Sequence, residues 1–150
     1  MNRKGARRYM KIVEMFQARG HKNVAATHPT TIEITRSSHL TKRGDCVVAV
    51  GSTKGASALS DEFKRAARSA EAKITLTLDV GDESFSVSGS GLPWLTFLDP
   101  NDMVFRKSAF VSDRTVMVFA EKASIDIPRG FVRNLGDPAA SVSVRLAVEV

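Results

Sequence analysis

The stretch Lys73-Ile-Thr-Leu-Thr-Leu-Asp-Val80 decides how this chain is organised. Its apolar residues alternate with polar ones, which predicts a half-buried β-strand over residues 73–80. The pair Gly81-Asp82 follows and is typical of a tight turn into a second strand, predicted at 83–89. Since this hairpin lies near the middle of a 150-residue chain, it joins the segments on either side of it into one continuous domain.

The two sides of this hairpin resemble each other when the chain is laid on itself. Matched residues keep their order along the chain with only two small changes of register, which is the signature of a repeat. The matched pairs include Gly20 with Gly89, Pro29 with Pro100, Lys54 with Lys122, Phe63 with Phe131 and Leu78 with Leu146. We therefore predict an internal duplication, with pseudo-symmetric halves of about 12–81 and 82–150.

Each half has the order strand, strand, strand, helix, strand. In the first half the strands are predicted at 12–19, 30–36, 46–50 and 73–80, with a helix over 55–69. In the second half they are predicted at 83–89, 101–107, 115–120 and 141–149, with a short helix near 124–135. These elements predict a mainly β domain with a helical minority: an internally duplicated antiparallel β-sandwich or barrel-like fold of about eight strands and two short helices.

The net charge of +6 is concentrated at the N-terminus. Five basic residues lie in the first eleven, and the rest of the chain carries 17 basic and 16 acidic residues. We predict a basic, flexible arm at 1–11 that can assist in holding RNA or another anion. No apolar run approaches the roughly 20 residues that span a bilayer. The single cysteine, Cys46, fits a reducing interior, so the expectation is a cytoplasmic protein without a membrane partner.

Several motifs resemble the archaeal family called domain of unknown function 371. They are Gly20-His-Lys-Asn-Val24, Thr30-Thr-Ile-Glu-Ile-Thr35, Leu40-Thr-Lys-Arg-Gly-Asp-Cys46, Asp102-Met-Val-Phe-Arg-Lys-Ser108 and Arg114-Thr115. The resemblance spans roughly residues 12–135 and departs from the family pattern at 96–100, where a histidine is expected. It implies a cytosolic protein with a compact, sandwich-like β fold, and it implies no activity.

Basic and hydroxyl side chains in the second half predict a site for an anion. Two guanidiniums beside serine and threonine hydroxyls can hold a phosphate or a carboxylate. The first half offers hydroxyls and a carboxylate at the pseudo-symmetric place, so a groove between the halves would have an acidic wall facing a basic one. The predicted residues are Thr31, Glu33, Asp102, Arg106, Lys107, Ser108, Arg114 and Thr115. The alternative is a cross-strand network of ion pairs, with Asp102 pairing Arg106 or Arg114.

Other residue types allow other chemistry. Zinc accepts the ligand types of His21, His28, Asp45 and Cys46, although their spacing matches no compact metal motif. Cys46 could be a nucleophilic thiolate with a histidine base, or an inert residue in an apolar strand. The loop Gly51–Gly55 precedes the first predicted helix, whose N-terminus could attract an anion.

These observations favour a binding module over an enzyme. Its ligand would be a nucleotide-like anion or an RNA backbone in the groove between the halves. The alternatives are a small metal-dependent hydrolase that uses the first half, and a structural protein-interaction module. The sequence names no cofactor, and it leaves a homo-oligomer open.

Overall fold

The computed structural model describes residues 10–150. The predicted N-terminal arm therefore lies outside the described residues up to residue 9, while strand β1 already begins at Lys11. The first half contains β1 (Lys11–Arg19), β2 (Thr31–Thr35), β3 (Val47–Ala49), helix α1 (Asp61–Ala67) and β4 (Lys73–Val80). The second half contains β5 (Glu83–Ser90), β6 (Asp102–Arg106), β7 (Thr115–Met117), helix α2 (Arg129–Leu135) and β8 (Ser141–Glu149).

The eight strands form two four-stranded sheets, as a mainly β fold predicts. Sheet A has the order β1-β8-β4-β5, and sheet B has the order β3-β2-β6-β7. The sheets are bridged at two corners, where Arg19 pairs with Val50 and Ser90 pairs with Val118. Both halves contribute to both sheets, because β8 lies between β1 and β4, and β2 pairs with β6.

The antiparallel prediction holds for four of the strand pairs and is wrong for two. Strands β2 and β3 run parallel, and so do β6 and β7. The connections over 36–46 and 107–114 are long enough to return the chain to the starting end of the sheet before the next strand begins. The β3 strand is buried along its whole length, which agrees with the continuous apolar run from Cys46 to Val50.

The core lies between the two sheets. Alternation places Ile74, Leu76 and Leu78 of β4 on the inner face of sheet A, and all three are fully buried. Ile32 and Ile34 of β2 are fully buried from the side of sheet B. At about 25 cal/mol per Å² of apolar surface, this shared core is the main stabilising contribution to the fold.

Both helices are shorter than predicted. A 3-10 turn precedes each of them, at Ala56–Ala58 and Ser124–Asp126, and the residue after each turn is extended. Helix α1 starts only where the Ser60 hydroxyl accepts a hydrogen bond from the Phe63 amide (3.1 Å). The loop Gly51–Gly55 therefore leads into a 3-10 turn rather than into the N-terminus of an α-helix. Within residues 10–150, the helices are too short and too polar to cross a membrane.

Matching elements of the two halves lie at a constant spacing from β3 onward. Each of α1, β3 and β4 begins 68 residues before its counterpart α2, β7 or β8. A side chain on Gly20 would collide with the backbone carbonyls of Leu135 and Asp137, and one on Gly91 would collide with those of Ala67 and Ser69. Within the predicted duplication, this packing favours Gly91 over Gly89 as the counterpart of Gly20. Duplication itself stays a prediction, which these equivalences support.

Candidate functional site

The outer face of sheet B carries a polar strip where β2 and β6 meet. The antiparallel register puts Thr35 opposite Asp102, Glu33 opposite Val104 and Thr31 opposite Arg106. Asp99 fixes the start of β6, because its carboxylate accepts hydrogen bonds from the backbone amides of Asn101 and Asp102 (both 2.8 Å). Residues from the two halves of the chain therefore meet on one face, as the predicted groove requires.

Arg114 bridges the two carboxylates of this strip. Its Nη1 donates to Glu33 Oε1 (3.5 Å) and to Asp102 Oδ2 (3.3 Å). The Arg114 side chain is 41% exposed, whereas Glu33 and Asp102 are 12% and 23% exposed. The second oxygen of Asp102 accepts a short hydrogen bond from the Thr35 hydroxyl (2.7 Å). The cross-strand ion pair of Asp102 with Arg114, which the sequence left as an alternative, is thus present.

Arg106 has a different environment from Arg114. Its Nε donates to the Thr115 hydroxyl (3.0 Å), and its Nη2 donates to the Ser112 hydroxyl (3.1 Å). The guanidinium carbon lies 4.9 Å from the centre of the Phe110 ring. Among residues 10–150 no carboxylate forms an ion pair with Arg106. Burial lowers the pKa of Arg106, and the neighbouring charge of Arg114 lowers it further.

Glu33 and Cys46 form the buried end of the strip. Burial raises the pKa of Glu33, and the nearby charge of Asp102 raises it further against the opposing effect of Arg114. The Cys46 thiol donates to Glu33 Oε1 at 3.4 Å. Burial and then the Glu33 charge raise the pKa of Cys46 to about 12. Because a thiol with this pKa remains protonated at neutral pH, the surroundings of Cys46 do not favour it as a nucleophile.

An open cleft of about 600 Å³ adjoins the strip. Its lining includes Glu33, Thr35 and Asp102, together with Arg36 and His39 from the loop after β2. Sequence reasoning missed Arg36, His39 and Ser112 as members of this region. Strand alternation assigns faces only within strands, so nothing in the sequence indicated which loop residues would reach the cleft.

Three of the predicted anion-binding residues do not contribute their side chains to this cluster. Lys107 pairs with Asp126 at 3.2 Å. The Ser108 hydroxyl accepts a hydrogen bond from the Phe110 amide (3.3 Å) and so closes a local turn. Thr31 lies opposite Arg106 in the register, but its hydroxyl lies 3.4 Å from that of Thr30. Glu33, Asp102, Arg106, Arg114 and Thr115 are brought together.

The predicted metal ligands have separate partners. His21 Nδ1 accepts the Asn23 amide (3.0 Å), and His28 Nδ1 accepts the Thr30 amide (3.2 Å). The backbone carbonyl of Asp45 accepts a hydrogen bond from the backbone amide of His28 (3.2 Å). Over residues 10–150 no group of three or more histidine, cysteine, aspartate or glutamate side chains is placed to hold a metal ion. The four residues therefore do not form a metal-binding group.

The comparisons with known proteins agree with the motifs. Residues 16–149 match the family described as domain of unknown function (DUF371). The chain is 40% identical over 121 residues to the uncharacterised protein MJ0206 of Methanocaldococcus jannaschii, which covers 81% of this chain and 89% of the relative. The chain belongs to this family.

Proposed function

We propose that this family member is a binding protein for a small anionic ligand, such as a phosphate- or carboxylate-bearing compound, on the outer face of sheet B. The observation that carries the proposal is Arg106, a partly buried guanidinium with no ion-pair partner among residues 10–150. The charge of Glu33 offsets that of Arg106 only in part, because burial and the charge of Arg114 still lower the pKa of Arg106, so a further counter-charge is favourable. A bound anion supplies it.

The proximity of Arg106 and Arg114 strengthens this argument. The positive charges of the two guanidiniums repel each other. This repulsion lowers the pKa of Arg106, although burial has the larger effect. An anion between them would offset both charges at once. Arg106 Nη1 and the Nε and Nη2 atoms of Arg114 have no hydrogen-bond partner among the described residues, so donors are available to receive it.

The carboxylates indicate the rest of the ligand. Glu33 and Asp102 line the cleft beside the guanidiniums and can accept hydrogen bonds from ligand hydroxyl groups. A ligand with an anionic end and neighbouring hydroxyl groups would therefore bind both the guanidiniums and the carboxylates. The metal-dependent hydrolase alternative draws no support from the positions of His21, His28, Asp45 and Cys46.

The proposal is tested by calorimetric titration of untagged protein with inorganic phosphate and pyrophosphate in a low-salt buffer. Replacing Arg106 by glutamine is expected to weaken binding at least about tenfold, since a charge-assisted hydrogen bond to the ligand is lost. Arg65→Gln is the matched control, because Arg65 lies exposed on α1, away from sheet B. Equal affinities for wild type and Arg106→Gln would overturn the proposal.

A further inference from the structure

Two exposed phenylalanines flank a serine beside the anion-binding arginines. Phe110 is 62% exposed and Phe119 is 54% exposed, so neither contributes much to the core. The Phe119 amide donates to the Ser108 carbonyl (3.1 Å), and the Phe110 amide donates to the Ser108 hydroxyl (3.3 Å). Both aromatic residues are therefore anchored at the same point of the chain, two residues beyond Arg106.

The backbone of Phe119 is in a conformation that disfavours it. Its φ angle is +52°, in the left-handed region that glycine adopts readily and bulky residues avoid. The corresponding residue of the first half, 68 positions earlier, is Gly51, with a φ angle of +59°. The same turn is thus built with glycine elsewhere in this molecule. The backbone strain at Phe119 is not explained by burial of its side chain in the core. It therefore indicates a binding role for the ring.

Phe110 contacts Arg106 and still leaves most of its surface open to solvent. The Arg106 guanidinium carbon lies 4.9 Å from the ring centre, and Arg106 is itself held by Thr115 and Ser112. This contact restrains the ring before any ligand arrives, which lowers the entropy lost on stacking.

We propose that Phe110 and Phe119 form a stacking platform for a nucleobase, which makes the ligand of this site a nucleotide unit, free or within a single-stranded nucleic acid. Aromatic rings next to guanidiniums that hold phosphate are the combination that such ligands require. The inference rests on the proposed function, because the same Arg106 and Arg114 would hold the phosphate.

The test compares adenosine monophosphate with ribose 5-phosphate, which lacks the base. Wild-type protein is expected to bind the nucleotide about tenfold more tightly, the worth of one stacked base. Phe110→Leu and Phe119→Gly should each remove most of this preference, measured as the ratio of the affinities for the two ligands. Phe119→Gly should also melt at the same temperature as wild type or higher, because it relieves the backbone strain. Met15→Ala is the control, since Met15 is 64% exposed on sheet A.

The outcomes separate the inference from the proposed function. Equal affinity for the two ligands, or a preference unchanged in both variants, would overturn the platform and leave the anion site standing. A destabilised Phe119→Gly protein would also overturn it, because the ring would then have a structural role. Loss of binding to both ligands is expected only in Arg106→Gln. If a single-stranded octaribonucleotide binds more tightly than the nucleotide, the ligand is a single-stranded nucleic acid. If the two bind equally, the ligand is the free nucleotide.

Discussion

Burial determines how the ionisable side chains of the strip behave. Glu33 and Arg106 carry opposite charges on neighbouring strands, yet the pKa of each is displaced toward the neutral form, by burial first and by a like charge second. Arg114 is exposed enough to exchange partners, and it pairs with both carboxylates. A ligand anion must compete with Glu33 and Asp102 for Arg114, so protonation of Glu33 removes one of the two competing charges.

Anion binding is therefore expected to strengthen as the pH falls. The pKa of Glu33 is raised above 4.5, so its protonation begins at a higher pH than for an ordinary glutamate. Once neutral, Glu33 no longer competes for Arg114. Sulfate, which keeps its charge over this range, should bind up to about fivefold more tightly when the pH is lowered through the Glu33 pKa. This is about the contribution of one partly exposed ion pair.

Two variants separate the contributions to this pH dependence. Glu33→Gln should bind sulfate tightly throughout and lose most of the change. His39 also lines the cleft, so His39→Gln is the control for a substitution elsewhere in the same cleft. An unchanged pH profile in Glu33→Gln would show that Glu33 does not control the site.

Two glycines are predicted to respond in opposite ways to alanine. A methyl group on Gly91 would overlap the backbone carbonyls of Ala67 and Ser69, so Gly91→Ala should cost about 1–3 kcal/mol of unfolding free energy. Gly130 lies in α2, and a methyl group there would lie at ordinary van der Waals distance from the Arg133 side chain (3.6 Å), so Gly130→Ala should add about 0.5–1 kcal/mol. Urea unfolding measures both. Equal effects would mean that the close approach at Gly91 does not constrain the fold.

At the scale of elements, strand positions were predictable and loop contacts were not. The alternation in β4 and β8 fixes which side chains face the core, so these strands were predicted to within a residue or two. The parallel pairing of β2 with β3 was missed, because it depends on the path of the connection and not on a local pattern. Ser112 and Phe110 reach Arg106 through a loop of the same kind, and so half of its surroundings could not be predicted.

The carboxylate of Glu14 joins β1 to the segment before α1, and its removal is predicted to destabilise the protein. Glu14 is 7% exposed, and it accepts hydrogen bonds from Lys54 Nζ (3.0 Å) and the Ser60 amide (3.2 Å). Burial acts to raise its pKa, but the hydrogen bonds from Ser60 and Lys54 outweigh it and hold the pKa below 4.5. Glu14→Gln should lose about 2 kcal/mol at neutral pH.

The pH dependence of this loss identifies the charge as its cause. A carboxylate whose pKa is lowered by folding stabilises the protein above its unfolded pKa, and that contribution disappears as the pH falls through the folded value. The difference between wild type and Glu14→Gln should therefore shrink in acid, when followed by thermal unfolding. The exposed Glu71→Gln is the control. A difference that is independent of pH would point to packing instead.

For the whole molecule, the order of the strands makes each half depend on the other. Sheet A reads β1-β8-β4-β5, so the two first-half strands β1 and β4 are separated by β8 of the second half. Sheet B joins the halves through β2 and β6. The repeated order of elements could be read from the sequence, whereas this interleaving could not, because no local signal tells which strand fills a gap.

The interleaving predicts that residues 10–81 cannot fold as a monomer. Without β8 and β6, strands β1, β4 and β2 each lose a partner, and the inner faces of both sheets are exposed to water. Exchanging the halves leaves both strand orders unchanged, so a second copy of 10–81 could supply β4 where β8 belongs and β2 where β6 belongs.

We expect this fragment to be unfolded at low concentration, or to form a dimer in which the strand signal in circular dichroism and the dimeric mass from light scattering rise together. Mixing it with residues 82–150 should restore a heterodimer with the folded content of the intact chain, because each half then regains its own partner strands. A fragment 10–81 that is folded, cooperative and monomeric would contradict the prediction, since it would mean that the first half holds its sheets together without the strands that separate them in the intact protein.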